Sequence, residues 1–148
     1  MSADRNRYMN LALGLAARGL GQVWPNPAVG CVIVNAGRIV GRGWTQPGGR
    51  PHAETVALLQ AGTAAKGATV YVTLEPCAHH GQTPPCAAAL IDAGVSKVVV
   101  AASDPDSRVD GSGISMLQAA GITVETGTLC QEAEHLNIGF LTCVGQGR

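Results

Sequence analysis

Aromatic residues make up only 3% of the 148-residue chain: two Trp, two Tyr and one Phe. Val, Ile, Leu and Ala must therefore fill the core of a composition that is 46% hydrophobic. An excess of charge of one sign is also missing, since Lys+Arg and Asp+Glu both number 10 and the formal net charge is zero. Nucleic-acid binders carry a basic excess or a basic stripe, so the balance favours a small ligand over a polyanion. Long apolar runs are absent too. In the N-terminal MSADRNRYMNLALGLAARGLG, Arg5, Arg7 and Arg18 break up what a signal peptide or membrane span would need. A cytoplasmic protein with no membrane partner is the expectation. There is no low-complexity tract, internal repeat or linker, and the length fits one domain over 1–148. The five cysteines, at 31, 77, 86, 130 and 143, are odd in number. A reducing compartment disfavours disulfides, so Cys31 reads as buried strand and Cys130 and Cys143 as packing or surface thiols.

What is present alternates. Residues 4–19 carry Met9, Ala12, Leu13 and Ala16 near one face of a helix. WPNPAVG cannot be helical, because two prolines bracket Asn26. AVGCVIV and RIVGRGW, joined at Asn-Ala-Gly, predict a hairpin. PHAETVALLQAG predicts a helix with Pro51 near its start and Gly62 past its end. ATVYVTL, KVVVAAS and ITVETG follow as strands. They alternate with helices at PPCAAALIDAG, SGISMLQAAG and CQEAEHLNIGFLTCVG. The order is that of an α/β domain with helices on both faces of a five-stranded mixed sheet, antiparallel at its opening hairpin and parallel later.

The chemistry concentrates in LEPCAHHGQTPPC, where eight residues separate Cys77 from Cys86. A disulfide, a metal site and a redox pair all remain open for two thiols in one loop. The placement narrows them. Cys77 follows a central strand, Cys86 falls in the first turn of the next helix, and His52 and Glu54 open the preceding one. Ligands in open α/β sheets gather beyond the carboxyl ends of strands, where helix N-termini point and favour thiolates. His52, Cys77 and Cys86 make a three-ligand set for Zn²⁺ that leaves one position open, as catalytic zinc sites do. Zinc can lower the pKa of water from about 15.7 towards about 7. Glu54, two residues after His52, is placed to carry that proton to a leaving amine. A closed structural zinc with His79 or His80 as fourth ligand is the competing arrangement, and it leaves Glu54 without a task.

H-A-E at a helix start, then P-C at a strand end and a second cysteine on the next helix, is the pattern of the zinc deaminases. The chain further resembles the deaminase half of the bifunctional riboflavin-biosynthesis deaminase/reductases. The matching pieces are PNPAVGCVIV, GGRPHAE, TLEPCAHHGQTPPCAAALIDAGV, VVVAASDP, GSGISMLQAAGI and LNIGFLT, in order over nearly the whole length. Cytidine, guanine and tRNA adenosine deaminases instead place two residues between their cysteines. The resemblance implies a three-layer α/β/α cytidine-deaminase-like fold. It also implies hydrolytic deamination of a small pyrimidine ribotide, 2,5-diamino-6-(5-phosphoribosylamino)pyrimidin-4(3H)-one, and substrate contacts from Asn26 and from the SDPD segment around Asp104. His80 belongs to the loop that would fold over the site.

Three departures stand out. Gln82 occupies a position where the family carries Lys or Arg, so a cation suited to a phosphate is missing. Thr45 stands where many members have His. The chain ends at Arg148, where the reductase domain begins in the family. That leaves either a piece of a longer protein or a stand-alone deaminase, working as a homo-oligomer or beside a separate reductase, and no NADPH site is assigned. The alternatives are a deaminase of another aminated pyrimidine or purine, and a non-catalytic zinc-binding remnant.

Overall fold

The computed structural model describes residues 2–20, 22, 28–76, 86–102 and 112–136. Its strands are β1 (Gly30–Asn35), β2 (Arg38–Trp44), β3 (Thr69–Leu74), β4 (Lys97–Ala102) and β5 (Thr123–Thr126). Its α-helices are α1 (Ser2–Ala17), α2 (Ala53–Ala61), α3 (Cys86–Ala93), α4 (Ser112–Ala119) and α5 (Cys130–Leu136). Short 3-10 turns at Pro47–Gly49 and Gly62–Ala65 flank α2 and were not foreseen from the sequence. The expected final helix is described only as far as Leu136; residues 137–145 lie outside the described part.

The strands form one sheet in the order β2-β1-β3-β4-β5. β1 is antiparallel to both β2 and β3, while β3, β4 and β5 run parallel. The expected hairpin is present, with Asn35 opposite Arg38. Its two central residues, Ala36 and Gly37, have φ of 53° and 78°, the doubly left-handed turn whose twist suits paired strands.

Helices cover both faces, as the sequence pattern implied. On one face α1 packs on β1 and β3, and α5 on β3 and β4; on the other lie α2, α3 and α4. Met9, Ala12 and Ala16 are the buried positions of α1, with Leu13 partly buried, in accord with the face read from spacing. Tyr8 of α1 meets Tyr71 of β3 with ring centroids 5.2 Å apart, so two of the few aromatics are spent between these layers. β4 is buried from Val98 through Ala102, as a strand sandwiched between helix layers must be. Cys31 is fully buried, as expected. Cys130 corrects the thiol reading: it is buried at the start of α5 and disulfide-bonded, a pairing that compartment and residue count could not reveal. Among the described residues no helix is long and apolar enough to cross a membrane.

The topology decides where a site can lie. Because β1 is antiparallel to β3, its start at Gly30 lies beside the C-terminal end of β3, and the Gly30 N–H donates to Thr73 Oγ1 at 3.1 Å. β2 ends opposite Gly30 and leads towards α2. The entry to β1, the exits of β2, β3 and β4, and the N-termini of α2 and α3 thus meet at one end of the sheet.

Candidate active site

His52 is the N-cap of α2, with extended backbone (φ −71°, ψ 159°) and no side-chain capping bond. A cap is usually a Ser, Thr, Asp or Asn that turns back onto the helix; this imidazole faces α3 instead. Its Nδ1 lies 3.2 Å from Sγ of Cys86, across 34 positions of sequence. Cys86 opens α3, is buried at 3% exposure and forms no disulfide. The disulfide reading of the Cys77/Cys86 pair is thereby excluded.

The pair fits a metal. Zinc bonds of about 2.3 Å to sulfur and about 2.1 Å to nitrogen in a tetrahedral arrangement set two such ligands about 3.6 Å apart. The observed 3.2 Å falls a few tenths of an ångström short of that. Both donors are of the right kind, and the thiol sits at a helix N-terminus, which favours its anionic form. Among the described residues no third His, Cys, Asp or Glu completes the set. Cys77, the expected third ligand, lies outside the described residues, as do Asn26, His79, His80, Gln82 and Asp104. Pro76, the residue before Cys77, is fully buried beyond the end of β3.

Glu54 sits in the first turn of α2, two residues past His52, and is 5% exposed. A carboxylate there is favoured by the helix dipole. Beneath it in β1 is Cys31, whose thiol burial pushes well above its usual 9.0, with the Glu54 charge adding to the rise. Cys31 is thus held protonated under the carboxylate.

Two features of the site escaped the sequence reading. α2 lies unusually close to β2: a Cβ at Gly41 would overlap the Ala57 carbonyl oxygen, and one at Gly43 the Ala53 carbonyl oxygen. The G-x-G of RIVGRGW is what allows this approach, and glycine inside a strand is the available signal for it. Thr45, noted only as a departure, is 3% exposed. Its Oγ1 accepts from Val29 N–H at 3.0 Å and lies 3.4 Å from Val29 O, which also accepts from Thr45 N–H at 3.0 Å. It anchors the chain just after the segment that carries Asn26.

Residues 2–102 match the cytidine and deoxycytidylate deaminase zinc-binding region, and the chain belongs to that family. Within it the similarity is to deaminases of riboflavin biosynthesis. Riboflavin biosynthesis protein RibD of Haemophilus influenzae is 56% identical over 140 residues, 95% of this chain and 38% of that protein. The diaminohydroxyphosphoribosylamino-pyrimidine deaminase of Buchnera aphidicola subsp. Acyrthosiphon pisum is 49% identical over 133 residues, 90% of each chain. The structure of Acinetobacter baumannii RibD superposes with a TM-score of 0.90 at 51% identity, covering 95% of this chain and 39% of that one. The chain therefore spans well under half the length of RibD, and the expected cytidine-deaminase-like three-layer fold is the observed one.

Proposed function

We propose that residues 1–148 form a zinc-dependent deaminase domain that hydrolyses the amino group of 2,5-diamino-6-(5-phosphoribosylamino)pyrimidin-4(3H)-one, releasing ammonia, in the cytoplasm. The observation that carries this reading is the 3.2 Å approach of His52 Nδ1 to Cys86 Sγ, with the buried Glu54 two residues from His52. The length-matched Buchnera relative, named for this deamination, supports the substrate.

His52, Cys77 and Cys86 would hold the zinc, which when bound supplies the Lewis acidity that makes water nucleophilic near neutral pH. Glu54 then does the proton work. Its carboxylate relays the two protons of the attacking water, one to the adjacent ring nitrogen and one to the departing amine, so that ring N=C–NH2 and H2O become HN–C=O and NH3. Asn26, whose amide both donates and accepts, together with His80 and Asp104, would orient the pyrimidine. Gln82 would meet the phosphate with hydrogen bonds and no charge. Reduction of the product belongs to a reductase outside these residues.

The test is a substrate panel with ammonia readout, using zinc-loaded protein and the diaminopyrimidine ribotide, cytidine, dCMP and guanine. Turnover of the ribotide above the others is expected; preferential turnover of another amine contradicts the assignment. Gln82 favours one second reading, a relative shifted to a substrate without phosphate. In that case the dephosphorylated riboside outcompetes the ribotide, and Gln82→Lys reverses the order.

A further inference from the structure

We propose that Glu75 is a positioning residue of the metal centre, whose buried carboxylate locks the strand end leading to Cys77 onto both ends of the segment that carries Asp104. The inference rests on the metal reading above and deepens it.

Glu75 is 3% exposed and lies two residues before Cys77. Its backbone N–H donates to Ala102 O at 2.9 Å. Its Oε2 accepts from Gly113 N–H at 3.1 Å and from Ile114 N–H at 3.4 Å. Ala102 closes β4 immediately before segment 103–111, and Gly113 lies in the first turn of α4 immediately after it. One residue therefore grips both ends of that segment. The next residue tightens the joint: Pro76 is fully buried, and its carbonyl oxygen presses so closely on Gly113 that a Cβ there would overlap it.

The chemistry suits a fixed joint. The first N–H groups of a helix lack partners within it, and a carboxylate there gains both charge-assisted hydrogen bonds and the helix dipole. Neutralising or removing the carboxylate leaves α4 donors poorly paired at a buried junction. The strand end then loses its stop, with Cys77 two residues away. Metal ligands tolerate errors of only about 0.2 Å, and loss of the groups that orient them costs about 10–100-fold in metal affinity. Glu75 and Glu54 thus divide the buried acids of the site, one holding its frame and the other moving its protons.

The test compares Glu75→Gln, Glu75→Asp and Gly113→Ala with Leu117→Ala, which empties a buried position of α4 beyond its first turn. Zinc affinity of each full chain is measured by competition with a chromophoric chelator. kcat and KM for the ribotide are then measured at saturating zinc. Glu75→Gln and Gly113→Ala are expected to weaken zinc binding by about 10–100-fold and to raise KM, with Glu75→Asp recovering part of both. Leu117→Ala lowers the melting temperature and leaves zinc affinity at the wild-type value. Wild-type zinc affinity in Glu75→Gln and Gly113→Ala overturns the inference, and so does an equal loss in Leu117→Ala. Should Glu75→Gln fail to fold, Glu75→Asp and Gly113→Ala carry the comparison. A wild-type chain that binds zinc without turning over the ribotide strikes the substrate assignment and leaves the zinc comparison intact. One that binds no zinc overturns the metal reading and this inference together.

Discussion

His52 Nδ1 and Cys86 Sγ stand 3.2 Å apart, the first at the cap of α2 and the second at the first residue of α3. The two are 34 positions apart in sequence. The contact exists because α2 is seated on β2 through Gly41 and Gly43 and because α3, which begins at Cys86, packs against α2. Helix α2 delivers the imidazole and, two residues further on, the carboxylate of Glu54.

Glu54 is expected to act on protons and not on the metal. Glu54→Gln keeps the shape and the hydrogen-bonding capacity but cannot shuttle a proton. Zinc content should stay at the wild-type level, while kcat falls by at least about 10²-fold, the low end of general acid–base contributions. Metal analysis beside steady-state kinetics checks both halves. Wild-type kcat in this variant would remove Glu54 from the mechanism.

Seating of α2 on β2 should be sensitive to one methyl group. Gly43→Ala places a Cβ into the Ala53 carbonyl oxygen and against the Ala57 nitrogen, and overpacking of this kind costs about 1–3 kcal/mol. The displaced helix carries His52, so zinc affinity falls along with the urea midpoint. Gly14→Ala, on α1 with open space around it, is the matched control. It should gain about 0.5–1 kcal/mol from improved helix formation and leave zinc affinity unchanged.

Cysteine alkylation should separate the two described thiols that form no disulfide. Cys31 is fully buried, and its pKa is pushed well above 9.0 by desolvation and then by Glu54, so its thiolate is scarce at neutral pH. Iodoacetamide followed by mass spectrometry should leave Cys31 unlabelled in the folded chain. Cys86, protected with zinc bound, should become labelled once a chelator removes the metal. Labelling of Cys86 that is indifferent to the chelator would count against its being a ligand.

An ion-pair cluster distant from these residues gives a pH test of stability. Glu125 accepts from Lys97 Nζ at 2.7 Å and from Arg5 Nη1 at 2.5 Å. The Lys97 hydrogen bond first, and then that of Arg5, holds its pKa below the ordinary 4.5. A lowered folded-state value means the contribution is complete above the unfolded value and is lost as pH falls through the folded one. Glu125→Gln should therefore be less stable than wild type at neutral pH, and the gap should close as pH drops below 4.5. The groups are partly exposed, so the gap is small and shrinks with salt. Urea melts across pH and ionic strength measure it.

Much of this was legible in the residues. The span of β2, the hairpin at Asn35–Arg38, the parallel run of the later strands and the place of Cys86 in the first turn of α3 all follow from periodicity and punctuation. His52, Glu54 and Cys86 were readable as candidate site residues because their types are chemically narrow and each falls at a helix start. The remainder depends on approach between distant segments, which local pattern does not encode. Gly41 and Gly43 look like ordinary strand glycines until α2 is laid over them. Glu75 looks like the polar end of a strand until α4, 38 positions further on, brings Gly113 to its carboxylate. Thr45 looks like a lost histidine until its hydroxyl is found on Val29.

Zinc-edge X-ray absorption on the purified zinc-loaded chain tests the central claim most directly. The expected first shell has two sulfurs at about 2.3 Å and one imidazole nitrogen at about 2.0–2.1 Å, completed by one light atom from solvent. His52→Ala should remove the imidazole signal, and Cys86→Ala should halve the sulfur signal. A shell of four sulfurs, a shell with no sulfur, or a spectrum unchanged in both variants would contradict the account.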